Sequence, residues 1–233
     1  MDFALLNTDG LLFLLRWMHL FFGVIWIGLL YYFNFVHGAF MAEADAVAKP
    51  SVLQKLLPRA LWWFRWAAMF TMITGLAYLA IRAHQIGAIF FETPYGVCIM
   101  LGAGLGLIMW ANVWFVIWPN QKVVIQSATQ VAGGGQALPQ AAAAGARALV
   151  ASRTNTLFSI PMLFFMGAAS HLGIAMDENS SLTVMWLVLI AVIAGIEFNA
   201  LKGKTGPMTT IKGVINCGFA LTAFFYIFIE VML

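Results

Sequence analysis

Two of the four histidines in this 233-residue chain fall inside long apolar runs. His19 lies in Leu11–Phe35 and His171 in Leu157–Ile174. An ionisable side chain in hydrocarbon is costly and marks a functional position by default. Imidazoles from two different membrane helices are a common way to hold a haem iron from both sides. The surroundings of the two residues are matched. Gly23 follows His19 by four residues and Gly167 precedes His171 by four, so each glycine shares its histidine's helix face, one turn away. Missing side chains there leave room for a flat macrocycle. Arg16 stands three residues before His19 on the same face, where it could pair with an outward haem propionate. A bis-imidazole haem b, with His19 and His171 as axial ligands of the iron, is the sharpest chemistry these residues allow.

Plainer chemistry is open to each of them. A lone membrane histidine can simply hydrogen-bond a neighbouring helix, and small glycines let helices approach, which is the reading for Gly102, Gly104 and Gly106. Arg16 could instead snorkel to the surface. His37 and His84 read as interfacial, and Met166 or Met109 could stand in for one axial histidine. A zinc or copper site would want a third ligand, and no Asp or Glu lies at that depth. Glu197 is expected near the inner surface, beside Lys202. Trp17, Trp26, Trp110 and Trp114 could line a cofactor pocket, whereas Trp62, Trp63, Trp66 and Trp118 read as an interfacial belt. Asn112 and Asn216 suit interhelical hydrogen bonds. Arg153, Thr154 and Asn155 precede the fourth apolar run, where they would cap a helix or bind an anion.

These residues need membrane helices to position them, and the composition supplies them. The chain is 63% hydrophobic and 9% charged, with a mean hydropathy of +0.91. A soluble domain carries about 25% charged residues, so this is an all-α polytopic membrane bundle, and its few scattered cations give no nucleic-acid surface. Six spans are expected, near Leu11–Phe35, Trp62–Ile81, Tyr95–Trp118, Leu157–Ile174, Leu182–Phe198 and Ile211–Leu233. They form one transmembrane domain over residues 1–233, with a long cytoplasmic loop at about 119–156. Within that loop, Gln136–Val150 is Ala-rich and would be a surface helix ending at Ser152, or mobile.

Charge then sets orientation. The first, third and fifth connections, with their flanks, carry ten of the twelve cations. The opposite side has Arg16 and Arg82 against Asp2, Asp9, Glu92, Asp177, Glu178 and Glu230. That asymmetry puts both termini outside, in the periplasm of a bacterium whose inner (cytoplasmic) membrane the chain crosses several times. The first apolar run is long enough to remain as a span rather than be cleaved. With this topology His19 lies about 12 Å into the first helix, and His171 lies a few residues from the outer end of the fourth. Both fall in the outer half of the bilayer. Cys98 and Cys217 sit in apolar runs and read as free thiols, and no CxxC or CxxCH is present.

Four ordered stretches resemble a known family: Arg16–Asn34 (RWMHLFFGVIWIGLLYYFN), Pro58–Tyr78 (PRALWWFRWAAMFTMITGLAY), Met109–Asn120 (MWANVWFVIWPN) and Arg153–Leu172 (RTNTLFSIPMLFFMGAASHL). They resemble the membrane-embedded N-terminal domain of the bacterial urate hydroxylase family. The first helix is also similar, more distantly, to the haem-b membrane protoporphyrinogen oxidases and copper-resistance membrane proteins. The resemblance implies an inner-membrane oxidoreductase. Full-length members carry a periplasmic C-terminal cytochrome c. This chain stops at Leu233 without a CxxCH, so a separate cytochrome c or a quinone is the expected electron partner, besides the lipid bilayer and any further membrane subunits.

Two functions from different classes follow. One is a haem-b redox protein relaying electrons. The other is a non-catalytic or haem-bearing accessory subunit of a larger respiratory or oxygenase complex. A transporter has less support, since no broken helix or charged pathway accompanies the histidines. The charge reading makes a direct prediction: alkaline phosphatase fused after Leu233 should be active in intact bacterial cells and a fluorescent protein fused there dark. The reverse pattern would invert the topology.

Overall fold

The computed structural model describes residues 3–177 and 180–233. Asp2 and Glu178, two of the acids counted on the outer side, lie outside them. The described residues form six long helices: α1 (Thr8–Glu43), α2 (Ala48–Ile86), α3 (Pro94–Ala132), α4 (Ala141–His171), α5 (Leu182–Lys202) and α6 (Ile211–Met232). Short 3₁₀ turns at Ala4–Leu6, Ala88–Glu92 and Gly206–Thr209 join or precede them. The helices alternate in direction, so the start of α1 and the end of α6 share one end of the bundle, here the termini end, opposite the far end.

Local chemistry explains where the helices begin. The Asn7 side chain accepts from the Gly10 N–H at 2.8 Å, and the Thr93 and Thr210 hydroxyls do the same for Gly96 and Gly213. Pro94 follows Thr93 in the first turn, where a missing N–H costs nothing. Helix α2 ends at Gly87, whose φ of 87° is open to glycine without strain. Helices α1, α2 and α3 each contain a π-helical stretch, at Tyr32–His37, Val52–Leu56 and Asn112–Ile117.

Helix α4 is the centre of the bundle. It packs on α3 and α6 along much of its length, touches α5, and meets α1 more sparsely, while α1 packs along α2. Close approach depends on small residues. A Cβ at Gly102 would lie 3.1 Å from Met166 Cγ and 3.4 Å from the Met162 carbonyl oxygen, and Gly218 sits directly under Ile160. Gly104 and Gly106 face open space, so of the three glycines expected to pack helices only Gly102 does so.

Five helices are long and apolar enough to cross a membrane, and α4 is not among them. The reason is visible in its middle. Thr154, Asn155, Thr156 and Ser159 are fully buried by protein, and their hydroxyls return to carbonyls one turn back. A helix enclosed by neighbours has no need of a lipid-compatible surface all round. The expected long connection is also mostly helical. Helix α3 runs on to Ala132 and α4 starts at Ala141, well before the expected Leu157, so the helix does not end at Ser152. Alanine explains this. Ala144, Ala148 and Ala151 are buried, and a Cβ at Gly145 would lie 3.7 Å from a Val124 methyl, so the two extensions pack closely beyond the apolar stretch. The Ser127 hydroxyl accepts from the Leu138 N–H at 3.0 Å and ties the turn. Both cysteines are free thiols, as expected.

Gly102→Val would drive two methyl groups into Met162 and Met166. We expect it to lower stability by about 1–3 kcal/mol, read as an earlier thermal or denaturant-induced unfolding in detergent. An unchanged midpoint would contradict the tight α3–α4 contact.

Candidate functional site

His19 projects from α1 onto α2. Its Nδ1 lies 2.8 Å from the Thr71 carbonyl oxygen. A carbonyl only accepts, so Nδ1 carries the hydrogen and donates, which leaves Nε2 with a free lone pair. The ring lies over Gly75, where a Cβ would come within 2.8 Å of both Cε1 and Nδ1. Thr71 is itself held, its hydroxyl donating to the Ala67 carbonyl at 2.8 Å. Next to this contact Phe22 stacks on Phe70 with ring centroids 4.8 Å apart. Gly23 faces the same helix, where a Cβ would lie 3.9 Å from the Thr71 methyl. The imidazole is therefore fixed in tautomer and orientation, the way a protein prepares a metal-ligating histidine.

One turn toward the termini end, Arg16 Nη2 donates to the Tyr78 hydroxyl, and its guanidinium carbon lies 5.0 Å from the Tyr78 ring centre. Both residues line a cleft of about 280 Å³ with Asp9, Leu12, Phe13 and Arg82. Two guanidinium groups against one carboxylate suit an anionic group there. Arg82 also donates to the Gln85 side-chain oxygen at 3.2 Å.

His171 is the last residue of α4 and is exposed. Gly167 has no neighbour within 4 Å at its missing side chain. Depth can be compared through one contact. The Tyr31 and Ser159 hydroxyls are 2.9 Å apart, joining α1 to α4. His19 lies twelve residues toward the termini end from Tyr31, and His171 twelve residues the same way from Ser159. At about 1.5 Å per residue both sit about 18 Å from that contact. Twelve residues is a third of a turn beyond whole turns, so neither side chain keeps the facing direction of Tyr31 and Ser159. The histidines share a level. Among the described residues no hydrogen bond or ring contact joins them, and no three His, Cys, Asp or Glu side chains cluster.

A second polar group occupies the far half of the bundle. Asn112 Nδ2, at the start of the π-helical stretch of α3, donates to Asn155 Oδ1 and to Glu197 Oε2, each at 3.0 Å. Asn155 Nδ2 donates to the Met109 carbonyl at 2.9 Å. Asn34 Nδ2 donates to the Leu30 carbonyl and to the Ser152 hydroxyl, at 2.9 and 2.8 Å. Asn112 is interhelical as expected, whereas no such bond reaches Asn216 among the described residues. Glu197 meets Asn112 on α3 rather than Lys202. Arg153, Thr154 and Asn155 lie well inside α4 and cap nothing, because the helix begins earlier than the apolar pattern suggested.

The remaining expectations divide. Trp17 is 56% exposed on the outer surface of α1, while Trp26 is 2% exposed in the core. His37 packs against the Phe33 and Tyr32 rings, and His84 is exposed in the last turn of α2. Sequence reasoning passed over Thr71, Gly75 and Tyr78. Their spacing of four and then three residues puts them on one face of α2, and that was the available signal.

Removing the Asn155 amide strands the Met109 carbonyl and half of Asn112. Asn155→Ala should therefore cost about 1–3 kcal/mol, and pairing it with Asn112→Ala should cost less than the sum of the two in unfolding experiments. Strict additivity would mean the two amides act apart.

Comparison with known proteins adds one match. A family model described as "Urate oxidase N-terminal" covers residues 80–227, more than half of the chain. The matched span includes Gly167 and His171 but not α1. No curated protein and no solved structure matches the chain. The chain belongs to the urate oxidase N-terminal family.

Proposed function

We propose that this chain is a haem-b membrane redox domain of the urate hydroxylase kind. In this reading His19 and His171 are the axial ligands, and a separate cytochrome c or quinone takes the electrons. The observation that carries the reading is the state of His19. Its Nδ1–H is spent on the Thr71 carbonyl, its Nε2 is free, and Gly75 makes the space in which the ring sits. Donation from Nδ1 raises the basicity of Nε2 and holds it in one direction. His171 supplies a second imidazole at the same level, with open space at Gly167.

A bound haem b would supply a one-electron Fe(III)/Fe(II) couple. The chain's own residues would do the rest. The Thr71 carbonyl holds a hydrogen on Nδ1 and so keeps the His19 ring aimed, with Nε2 turned away from that contact. Arg16 and Arg82 beside Tyr78 offer positive charge one turn nearer the termini end, suited to a propionate carboxylate. Apolar helices around the ring exclude water and keep the local dielectric low. On the orientation expected from charge, this level faces the periplasmic half of the membrane, where a soluble electron carrier would dock.

The test is a reduced-minus-oxidised absorption spectrum of chain purified from haem-sufficient cells. A low-spin b-type spectrum is expected. His19→Ala and His171→Ala should each abolish it, and Gly75→Val should weaken or shift it by displacing the His19 ring. A spectrum that survives both histidine changes would refute the ligand assignment. Iron-free protein that co-purifies with stoichiometric membrane partners would favour an accessory subunit instead.

A further inference from the structure

Two cations from different helices meet on one indole in the far half of the bundle. The Arg65 guanidinium carbon on α2 lies 3.9 Å from the centre of the Trp118 ring on α3, and Lys122 Nζ lies 5.6 Å from the same ring. Like charges that share a ring repel, and the indole face offsets that only in part. Arg65 Nε is enclosed without an acceptor among the described residues. The acids of the far half are engaged elsewhere: the Asp45 side chain accepts from the Val47 and Ala48 N–H groups at 3.0 and 2.7 Å, Glu197 accepts from Asn112 at 3.0 Å, and Glu43 closes α1. The height of the pair follows from its aromatic neighbours. The Trp66 and Trp114 rings are 5.5 Å apart, and α2 and α3 run in opposite directions, so one turn further toward the far end brings Trp62 level with Trp118. Trp62 and Trp63 are 47% and 54% exposed. Exposed indoles near one end of apolar spans mark the level of the lipid head groups. Lys122, exposed and one turn beyond Trp118, extends from that level toward water.

We infer that Arg65, Lys122 and Trp118 form a binding site for the phosphodiester of an anionic glycerophospholipid in the leaflet at the far end. The guanidinium fork offers paired N–H groups to the two free phosphate oxygens, and the ammonium adds a mobile point charge. The Trp118 ring lies against both and holds the guanidinium in place. Basic side chains at head-group depth attract anionic lipid, each contributing separately. A zwitterionic lipid would bring its own ammonium against two cations, whereas a head group of net negative charge brings none. Acyl chains keep the ligand at this depth in the bilayer, which separates it from free phosphate. The site is independent of haem, since it lies toward the end of the bundle opposite His19 and uses none of the residues assigned to the iron or its propionates.

The experiment is native mass spectrometry of the full chain in detergent, titrated with phosphatidylglycerol or with phosphatidylcholine of the same acyl chains. The first phosphatidylglycerol should bind several-fold more tightly than the first phosphatidylcholine. Arg65→Gln and Lys122→Gln should each weaken phosphatidylglycerol binding roughly fivefold and leave phosphatidylcholine binding unchanged. Arg65→Lys, which keeps the charge and loses the fork, should fall between parent and Arg65→Gln. Lys204→Gln, an equal loss of charge in the connection between α5 and α6, should leave the preference as it is. Excess glycerol 3-phosphate, the head group without chains, should not displace the lipid. If Arg65→Gln fails to fold, Lys122→Gln, at an exposed side chain, decides the matter. Equal affinity for the two lipids, parent-like binding in both Arg65→Gln and Lys122→Gln, or a loss in Lys204→Gln as large as theirs would each overturn the site. Displacement by glycerol 3-phosphate would overturn the lipid as its ligand.

Discussion

A single hydrogen bond, from His19 Nδ1 to the Thr71 carbonyl, is the contact on which the chemistry proposed for this bundle depends. It crosses from α1 to α2, and the ring occupies the space that a side chain at residue 75 would fill. An imidazole in hydrocarbon must either find a partner or remain neutral at a cost. Here one nitrogen is satisfied by the protein and the other is kept available. A metal ligand requires such a free nitrogen, and a partner on Nδ1 gives it a fixed direction.

The rest of the architecture serves the level at which this ring sits. Helix α4 carries polar residues through the middle of the bundle because the neighbouring helices α1, α3, α5 and α6 cover that stretch. Its contacts with α1, at Tyr31–Ser159 and Asn34–Ser152, fix the relative height of the two helices, and so bring His171 level with His19. The amide group around Asn112 then holds α3, α4 and α5 together at the opposite end. That leaves two chemically distinct halves. The half near the termini has histidine and an arginine-lined cleft. The far half has amides, a carboxyl and indole donors.

Much of this was legible in the chain before folding. The six helices follow from the six apolar runs, while the caps at Asn7, Thr93 and Thr210 were seen only in the fold. The expected shared depth of the histidines follows from the two spans that lie between their helices. What was not legible has physical causes. The start of α4 was misplaced because its first residues, Ala141–Val150, pack through one alanine-rich face and expose the other, so they carry no long apolar run. Thr71 and Gly75 were overlooked because a carbonyl acceptor leaves no trace in side-chain type and a glycine in an apolar run looks like ordinary packing. Glu197 was assigned to Lys202 by proximity in sequence, yet its helix turns it toward α3, where Asn112 is the nearer donor. Rotation about a helix axis accumulates from every crossing angle, and a sequence does not specify those angles.

The redox account stands or falls on iron. Protein purified from haem-sufficient cells should give, by pyridine haemochrome assay with parallel iron quantification, stoichiometric haem b and a matching amount of iron per chain. Folded, monodisperse protein with neither iron nor haem, after reconstitution with excess haemin, would contradict it.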